Sequence, residues 1–338
     1  MKLLSLLGLI CFYQISIAQI NDSSRFYFEK GIDAQKNNNL PLASQHFQKS
    51  LIFNSKNKSV VLAQAFLAKE MHKLGLSQQF FEKYNQLDPN NPIIMEELAN
   101  IYFNNHQLNK AKEFAESCPN CKSHNRILGM CYYESEDYVK AEKYLNLALR
   151  ESPSDINISY TLARTYVNME QYNKAMTYYD AVVKMPEVRP MWIYEQGIMY
   201  YENSDYKNAL IAFNKAVEHG YTPGNDYNEN YAFASIYCGD YSKGENLIME
   251  LWQKNPVKKD LVRSLITTLY EKKQYDRAIF YCEKLMQLDE KDSKTLYQAG
   301  LCFQKKGMKE KGDNLCDKAI ELDPSLESLR QKRDISIL

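Results

Sequence analysis

The chain has 338 residues, of which only 12 are Gly and 10 are Pro, a scarcity of turn formers that fits mostly helix with short connections. Lys plus Arg number 42 and so do Asp plus Glu, giving a formal net charge of zero. The basic excess with which nucleic-acid binders neutralise phosphates is missing, so no nucleic-acid partner is expected. Tyr is the dominant aromatic, with 26 copies against 14 Phe and 2 Trp. Its apolar body and polar tip suit half-buried surfaces and recognition faces.

Residues 1–18 read as a signal peptide. Lys2 supplies a positive start, Leu3 to Ile17 an apolar run, and Ser16 and Ala18 the small residues that precede cleavage before Gln19. The run is shorter than the roughly 20 residues of a membrane span, with an uncleaved anchor as the competing reading. The chain is therefore expected to be exported, to the periplasm or cell envelope, with no membrane span once the signal is removed. Seven cysteines remain: Cys118, Cys121, Cys131, Cys238, Cys282, Cys302 and Cys316. An odd number cannot all pair, and most are expected to pack as small buried hydrophobes.

A recurring phrase then organises the rest of the chain: HQLNKA at 106–111, EDYVKA at 136–141, EQYNKA at 170–175, SDYKNA at 204–209, GDYSKG at 239–244 and KQYDRA at 273–278. Weaker copies occupy 38–43, 74–79 and 306–311. A small residue marks each copy, at Ala43, Ser77, Ala111, Ala141, Ala175, Ala209, Gly244, Ala278 and Gly312, with successive gaps of 34, 34, 30, 34, 34, 35, 34 and 34. Twelve residues earlier stands another small residue, at Gly31, Ala65, Ala99, Gly129, Ala163, Gly197 and Gly300, with Tyr or Phe three further on in most copies. Four residues after the phrase comes a bulky one, as in Phe47, Phe81, Leu145, Tyr179, Phe213 and Ile248. Pro89, Pro153, Pro256 and Pro324 stop the second helix of their units. Two helices packed as an antiparallel hairpin come close only where side chains are small. No such hairpin buries its apolar face alone, so neighbours stack around a shared core.

A period of 34 with this order of small, aromatic and Pro positions resembles the tetratricopeptide repeat, over residues 24 to about 326. The resemblance places repeats at 24–57, 58–91, 92–121, 122–155, 156–189, 190–224, 225–258, 259–292 and 293–326, with a capping helix over 327–338 in a closing tail from Ser325 whose Leu326, Leu329 and Ile335 cover the last hairpin. Departures are Ser77 for Ala, Ile266 at a small position, and a seventh unit that fits only with a turn about two residues shorter. The implied fold is all-α, a right-handed superhelical solenoid of about nine antiparallel helical hairpins whose first helices line a concave groove.

Counting from each Gly or Ala places Phe103, Arg126, Met130, Tyr133, Tyr160, Arg164, Tyr194, Ile198, Tyr201, Glu202, Arg263, Tyr270 and Tyr297 on the groove side, with Glu271 and Leu301 beside the last two. Tyr interspersed with Arg and Glu is a composition suited to recognition. The competing reading is that Tyr is simply abundant, including at the turn positions Tyr138, Tyr172 and Tyr206, where it is expected to be buried. The Lys/Asn/Arg clamp by which some family members grip a C-terminal carboxylate is not recognised, since Met130 follows Arg126 and Thr267 follows Arg263 where Asn would be wanted.

The Cys118-Pro119-Asn120-Cys121 segment, with His124 and Cys131 nearby, falls where the period drops to 30. Three readings stay open there: a local disulfide between Cys118 and Cys121, plain thiols, or a zinc site using all four side chains. The other histidines lack ligand spacing, and neither a phosphate loop nor a nucleophile elbow occurs. No cofactor or resident metal is expected. The chain reads as a non-enzymatic scaffold or adaptor that binds a peptide or protein segment. A carbohydrate- or cell-wall-binding module, or a structural subunit of an envelope complex, are the alternatives.

Overall fold

The structure, a computed structural model, describes residues 22–257 and 259–329, so the expected signal at 1–18 and most of the expected cap at 327–338 lie outside it. Helices follow one another in pairs, and no strand occurs among the described residues. A first compact unit ends at Gln171 and holds α1 (22–36), α2 (Leu40–Phe53), α3 (Lys58–Glu70), α4 (Leu74–Leu87), α5 (Pro92–Asn104), α6 (Leu108–Glu116), α7 (His124–Glu134), α8 (Tyr138–Glu151) and α9 (Ile156–Asn168). A second, from Tyr172, holds α10 (Tyr172–Val182), α11 (Pro190–Glu202), α12 (Tyr206–Glu218), α13 (Asn225–Tyr237), α14 (Tyr241–Lys254), α15 (Asp260–Glu271), α16 (Tyr275–Leu288), α17 (Ser293–Lys305) and α18 (Lys309–Leu322). A 3-10 turn over Pro324–Leu326 follows. Odd-numbered helices are the first of each pair and even-numbered ones the second.

The repeated phrase has a definite backbone meaning. Five residues before every small residue, at Asn38, His72, His106, Glu136, Glu170, Ser204, Gly239, Lys273 and Gly307, the chain is left-handed, with φ between 55° and 94°. That residue ends the first helix: the Glu136 N–H donates to the Tyr133 carbonyl and the Asp137 N–H to that of Tyr132. Only Gly takes this conformation freely, so the other seven positions cost on the order of 1 kcal/mol each. The next residue offsets part of the cost by capping the second helix. Asn39, Asp137, Asp205 and Asp240 each accept from an amide in the first turn, worth about 1 kcal/mol apiece.

The small residues sit where helices meet. A Cβ on Gly31 would lie 2.4 Å from the Phe47 ring, one on Gly129 2.7 Å from Leu145, and one on Gly197 2.5 Å from Phe213. The bulky residue of the second helix therefore rests on the bare backbone of the first. Ser77 serves in place of Ala by donating from Oγ to the Ala65 carbonyl at 3.0 Å.

The seventh hairpin needs no shortened turn: three residues separate α13 from α14, as between α11 and α12. Its close contact is Gly244 against the Ala232 carbonyl, so Ala232 fills the small position at the regular spacing of twelve. Ile266 is fully buried at the matching place in α15. At the C-terminal end Leu326 packs with Leu296 and Ala319, whereas Leu329 is 48% exposed and Ile335 lies outside the described residues.

The shortened period falls on α6, which has 9 residues against 14 in α4 and α8. Directly after it Cys118 and Cys121 are joined in a disulfide. His124 places Nδ1 2.8 Å from the Ala115 carbonyl, and Cys131 is buried in the core, so the four side chains do not converge. Five cysteines of the described residues are free, and only Cys238 is exposed. Burial pushes the Cys131 and Cys302 thiols up to about 11. A neutral-pH maleimide should accordingly label one thiol of residues 19–338 quickly, four more on unfolding, and two more after reduction, as counted by mass spectrometry. Seven labels on unfolding without reductant would rule out the disulfide.

Candidate binding faces on the first helices

Within each unit, successive first helices pack side by side: α5 with α7 and α7 with α9, then α11 with α13, α13 with α15 and α15 with α17. The two faces differ in chemistry.

In the first unit the row is polar and largely self-satisfied. The Arg126 guanidinium donates to Asn100 Oδ1 at 2.8 Å, and Glu96 accepts from the Ser123 N–H at 3.0 Å. These residues line a pocket of about 320 Å³ that also includes Lys122, Glu151 and Asp155. Arg164 donates to the Tyr160 hydroxyl at 3.2 Å. Phe103 packs, half-buried, against the core of α3 to α7. Met130 is buried, because α9 covers it and the Thr161 hydroxyl contacts its sulfur at 3.4 Å.

In the second unit the expected tyrosines divide. Tyr194 is only 8% exposed. The loop after α12 is one residue longer than the period, and Tyr221 from that loop stacks on Tyr194 at 4.7 Å while Asn230 donates to its hydroxyl at 3.1 Å. Tyr297 is 4% exposed, closed over by the Leu326 turn. Tyr201 and Tyr270 stay half-buried, each edge-on to a turn tyrosine five residues on: Tyr206 at 5.4 Å and Tyr275 at 5.6 Å. Tyr133 and Tyr138 repeat the pair at 6.1 Å in the first unit. Turn tyrosines thus brace groove tyrosines. They are not buried: Tyr138 and Tyr206 are half-buried, and Tyr172 is 44% exposed. Ile198 is half-buried and Glu202 exposed.

Between α15 and α17 lies a notch of about 280 Å³. Ile266 and Cys302 form its floor, with Tyr270, Leu301, Thr267, Glu271 and Gln298 around it. Gln298 donates to the Thr267 hydroxyl at 2.6 Å, which ties the two helices together at the rim. Arg263, expected to face a ligand, is instead bound to Asp292 at 2.7 Å and Asp260 at 2.8 Å.

The charge is one-sided on three of the four first helices of this unit, whereas the fourth, α17, carries Lys294 and Lys305 and no carboxylate. Helices α11, α13 and α15 carry Glu195, Glu202, Asp226, Glu229, Asp260 and Glu271, against Arg263 as their one basic residue. Of the six carboxylates, Glu195 accepts from the Tyr179 hydroxyl at 2.9 Å and Asp260 from Arg263. The surrounding packing and the Asp226 carboxylate raise the Glu229 carboxyl above its ordinary range. The neighbouring second helices α12, α14 and α16 mix both signs. Net charge over the whole chain hides this segregation.

Four family profiles, each described as tetratricopeptide repeat, match residues 132–185, residues 98–156 with 160–225, residues 80–113, and residues 293–326. A TPR repeat-containing protein of Methanocaldococcus jannaschii is 26% identical over 211 residues, which is 60% of this chain and 32% of that one. A BBSome complex member of Xenopus tropicalis is 32% identical over 78 residues, covering 23% of this chain and 15% of the other. The chain spans about a third of the length of the first curated relative and less of the second. Among solved structures, the C-terminal part of a TPR repeat-containing protein from Cytophaga hutchinsonii aligns with a TM-score of 0.54 at 18% identity, covering 70% of this chain and 99% of that one. That likeness is one of fold.

Proposed function

This chain belongs to the tetratricopeptide repeat family, and from that premise we propose that it holds a basic peptide or protein segment against the first helices of its second unit. The fold is that of a protein–protein interaction scaffold. The observation that carries the finer reading is the run of six carboxylates on α11, α13 and α15 with one arginine, itself paired, beside an apolar notch. Lys or Arg side chains of a ligand would meet Glu202, Glu229 and Glu271, while an apolar side chain enters between Tyr270 and Leu301. Such complementarity chiefly sets selectivity and association rate, and salt screens it over about 8–10 Å. The absence of any chemistry-bearing constellation in the sequence supports a holding role over catalysis. Lys2, the apolar run to Ile17 and the small residues Ser16 and Ala18 support placing that role in the periplasm or cell envelope.

Arrays of 15-residue peptides differing in charge and apolar content test the reading. Binders should be enriched in Lys or Arg flanking one large apolar residue. Their affinity should fall at least tenfold with Glu229→Lys/Glu271→Lys, and severalfold between 0.1 and 0.5 M salt. Binders with no charge preference, or a variant that binds as the parent does, would sink it.

A further inference from the structure

The first hairpin combines an excess of lysine with an open aromatic cluster. From Ala34 to Lys69 there is no Asp or Glu, while Lys36, Lys49, Lys56, Lys58 and Lys69 all occur. Over residues 22–69 seven basic residues stand against three acidic ones (Asp22, Glu29, Asp33), a net of +4 in a chain whose total is zero. Lys58 pairs with Asp88, Lys69 with Glu97 and Arg25 with Glu29, and the lysines on and around α2 have no acidic residue in that helix or its flanking turns.

Beside these lysines lies an open aromatic cluster. Tyr27 stacks on Phe53 at 5.7 Å with rings 6° from parallel, and Phe26 meets Tyr27 edge-on at 5.4 Å. Phe26 is 51% exposed, Ile52 79% and Phe53 39%. Lys30 places its ammonium 4.5 Å over the Phe26 ring, and Lys49 sits 5.7 Å over Tyr27. Large apolar groups in water beside unneutralised cations suit neither a core nor an ordinary solvated surface. They do suit the membrane–water boundary, where aromatic rings settle at headgroup level and basic side chains reach the phosphates.

We propose that this face docks on an anionic lipid surface, with Phe26, Tyr27, Ile52 and Phe53 at the acyl boundary and Lys30, Lys49 and Lys56 among the headgroup phosphates. The array would then stand on the bilayer by its first hairpin. The peptide-binding face belongs to the second unit, and its failure would leave this contact untouched.

The full chain is mixed with vesicles of phosphatidylcholine alone, or with one third phosphatidylglycerol, and lysine acetylation rates are read by mass spectrometry. On anionic vesicles labelling at Lys30, Lys49 and Lys56 should slow about tenfold while Lys143 is unchanged, and 0.5 M salt should remove the protection. Lys49→Glu/Lys56→Glu alters two exposed residues and should keep the helical circular dichroism signal. It should weaken the contact about fivefold per charge, read as lost protection of Lys30. The proposal is overturned by failure to bind anionic vesicles, by binding with the three lysines labelled at the free rate, or by equal protection on neutral vesicles. Protection in concentrated lipid-free solution would mean that a second copy covers the face, and unchanged Lys30 protection in the variant would likewise overturn it.

Discussion

Gly300→Ala is expected to destabilise the last hairpin by about 2 kcal/mol, although alanine is the better helix former by about 1 kcal/mol. A Cβ on Gly300 would stand 2.6 Å from Cys316 Sγ, 2.7 Å from the Gly312 carbonyl and 3.1 Å from the Cys316 nitrogen. A Cβ on Gly312 would in turn stand 2.6 Å from the Gly300 carbonyl and 2.8 Å from the Gln304 nitrogen. Two of the three atoms met by Gly300 are backbone, which no rotamer change can move, so α17 and α18 must separate. Overpacking costs about 1–3 kcal/mol and occasionally more, and rigid obstructions belong at the upper end. Gly197 meets side-chain atoms of Phe213 and Ala212, so alanine there should cost less, whereas Gly129 also meets the Leu145 backbone nitrogen at 2.9 Å. Gly75, with nothing within 4 Å of its would-be Cβ, should gain up to about 1 kcal/mol from the same change. Because hairpins in such arrays open semi-independently, native-state hydrogen exchange should accelerate in α18 of Gly300→Ala and stay unchanged in α12. A variant at least as stable as the parent would show that the helix approach is not limited by these backbones.

This pair of glycines also marks how far sequence reasoning reaches. Recurrence of a small residue every 34 positions reported close helix approach directly, because only sterics can impose such a period over a whole chain. The turn was legible as a phrase, though not its conformation: His106, Glu136 and Lys273 give no hint of positive φ, and only their fixed offset from the small residue does. Side-chain exposure was less readable. Counting along a helix assigns Tyr194 and Tyr297 to an open face correctly for an ideal repeat. One extra loop residue bringing Tyr221, and one terminal turn bringing Leu326, cover them. The acidic face was present in the letters but invisible to a whole-chain sum. It emerges once first and second helices are tallied apart. Ion pairs such as Arg263 with Asp292 join residues 29 apart, in neighbouring hairpins, and no local pattern announces them.

Asp292 carries the other large expected effect. Its side chain is 3% exposed; Oδ2 accepts from Arg263 at 2.7 Å and lies 3.5 Å from Lys259 Nζ, while Oδ1 caps α17 by accepting from the Thr295 N–H at 3.2 Å. Burial pushes this carboxyl upward, but the Arg263 hydrogen bond, the Thr295 amide and the Arg263 charge outweigh it, and the net shift is downward. Removing one partner of a buried pair costs about 3–5 kcal/mol, and a lost cap adds about 1. Arg263 keeps some solvent, with 24% of its side chain exposed, so Asp292→Ala should cost about 3 kcal/mol. Asp292→Asn separates the two roles: Asn still caps through its oxygen, so the loss should shrink to about 2 kcal/mol and report the charged hydrogen bond to Arg263 without the cap. A carboxyl whose folded pKa lies below its unfolded value, about 3.9, contributes fully above that value and loses its contribution as pH falls through the folded pKa. The gap between parent and Asp292→Asn in urea unfolding should therefore be widest at pH 6–7 and close progressively below about pH 4. A gap that persists undiminished at pH 2.5 would assign the loss to geometry and leave the Arg263–Asp292 charge pair without a measurable share in the stability of the second unit.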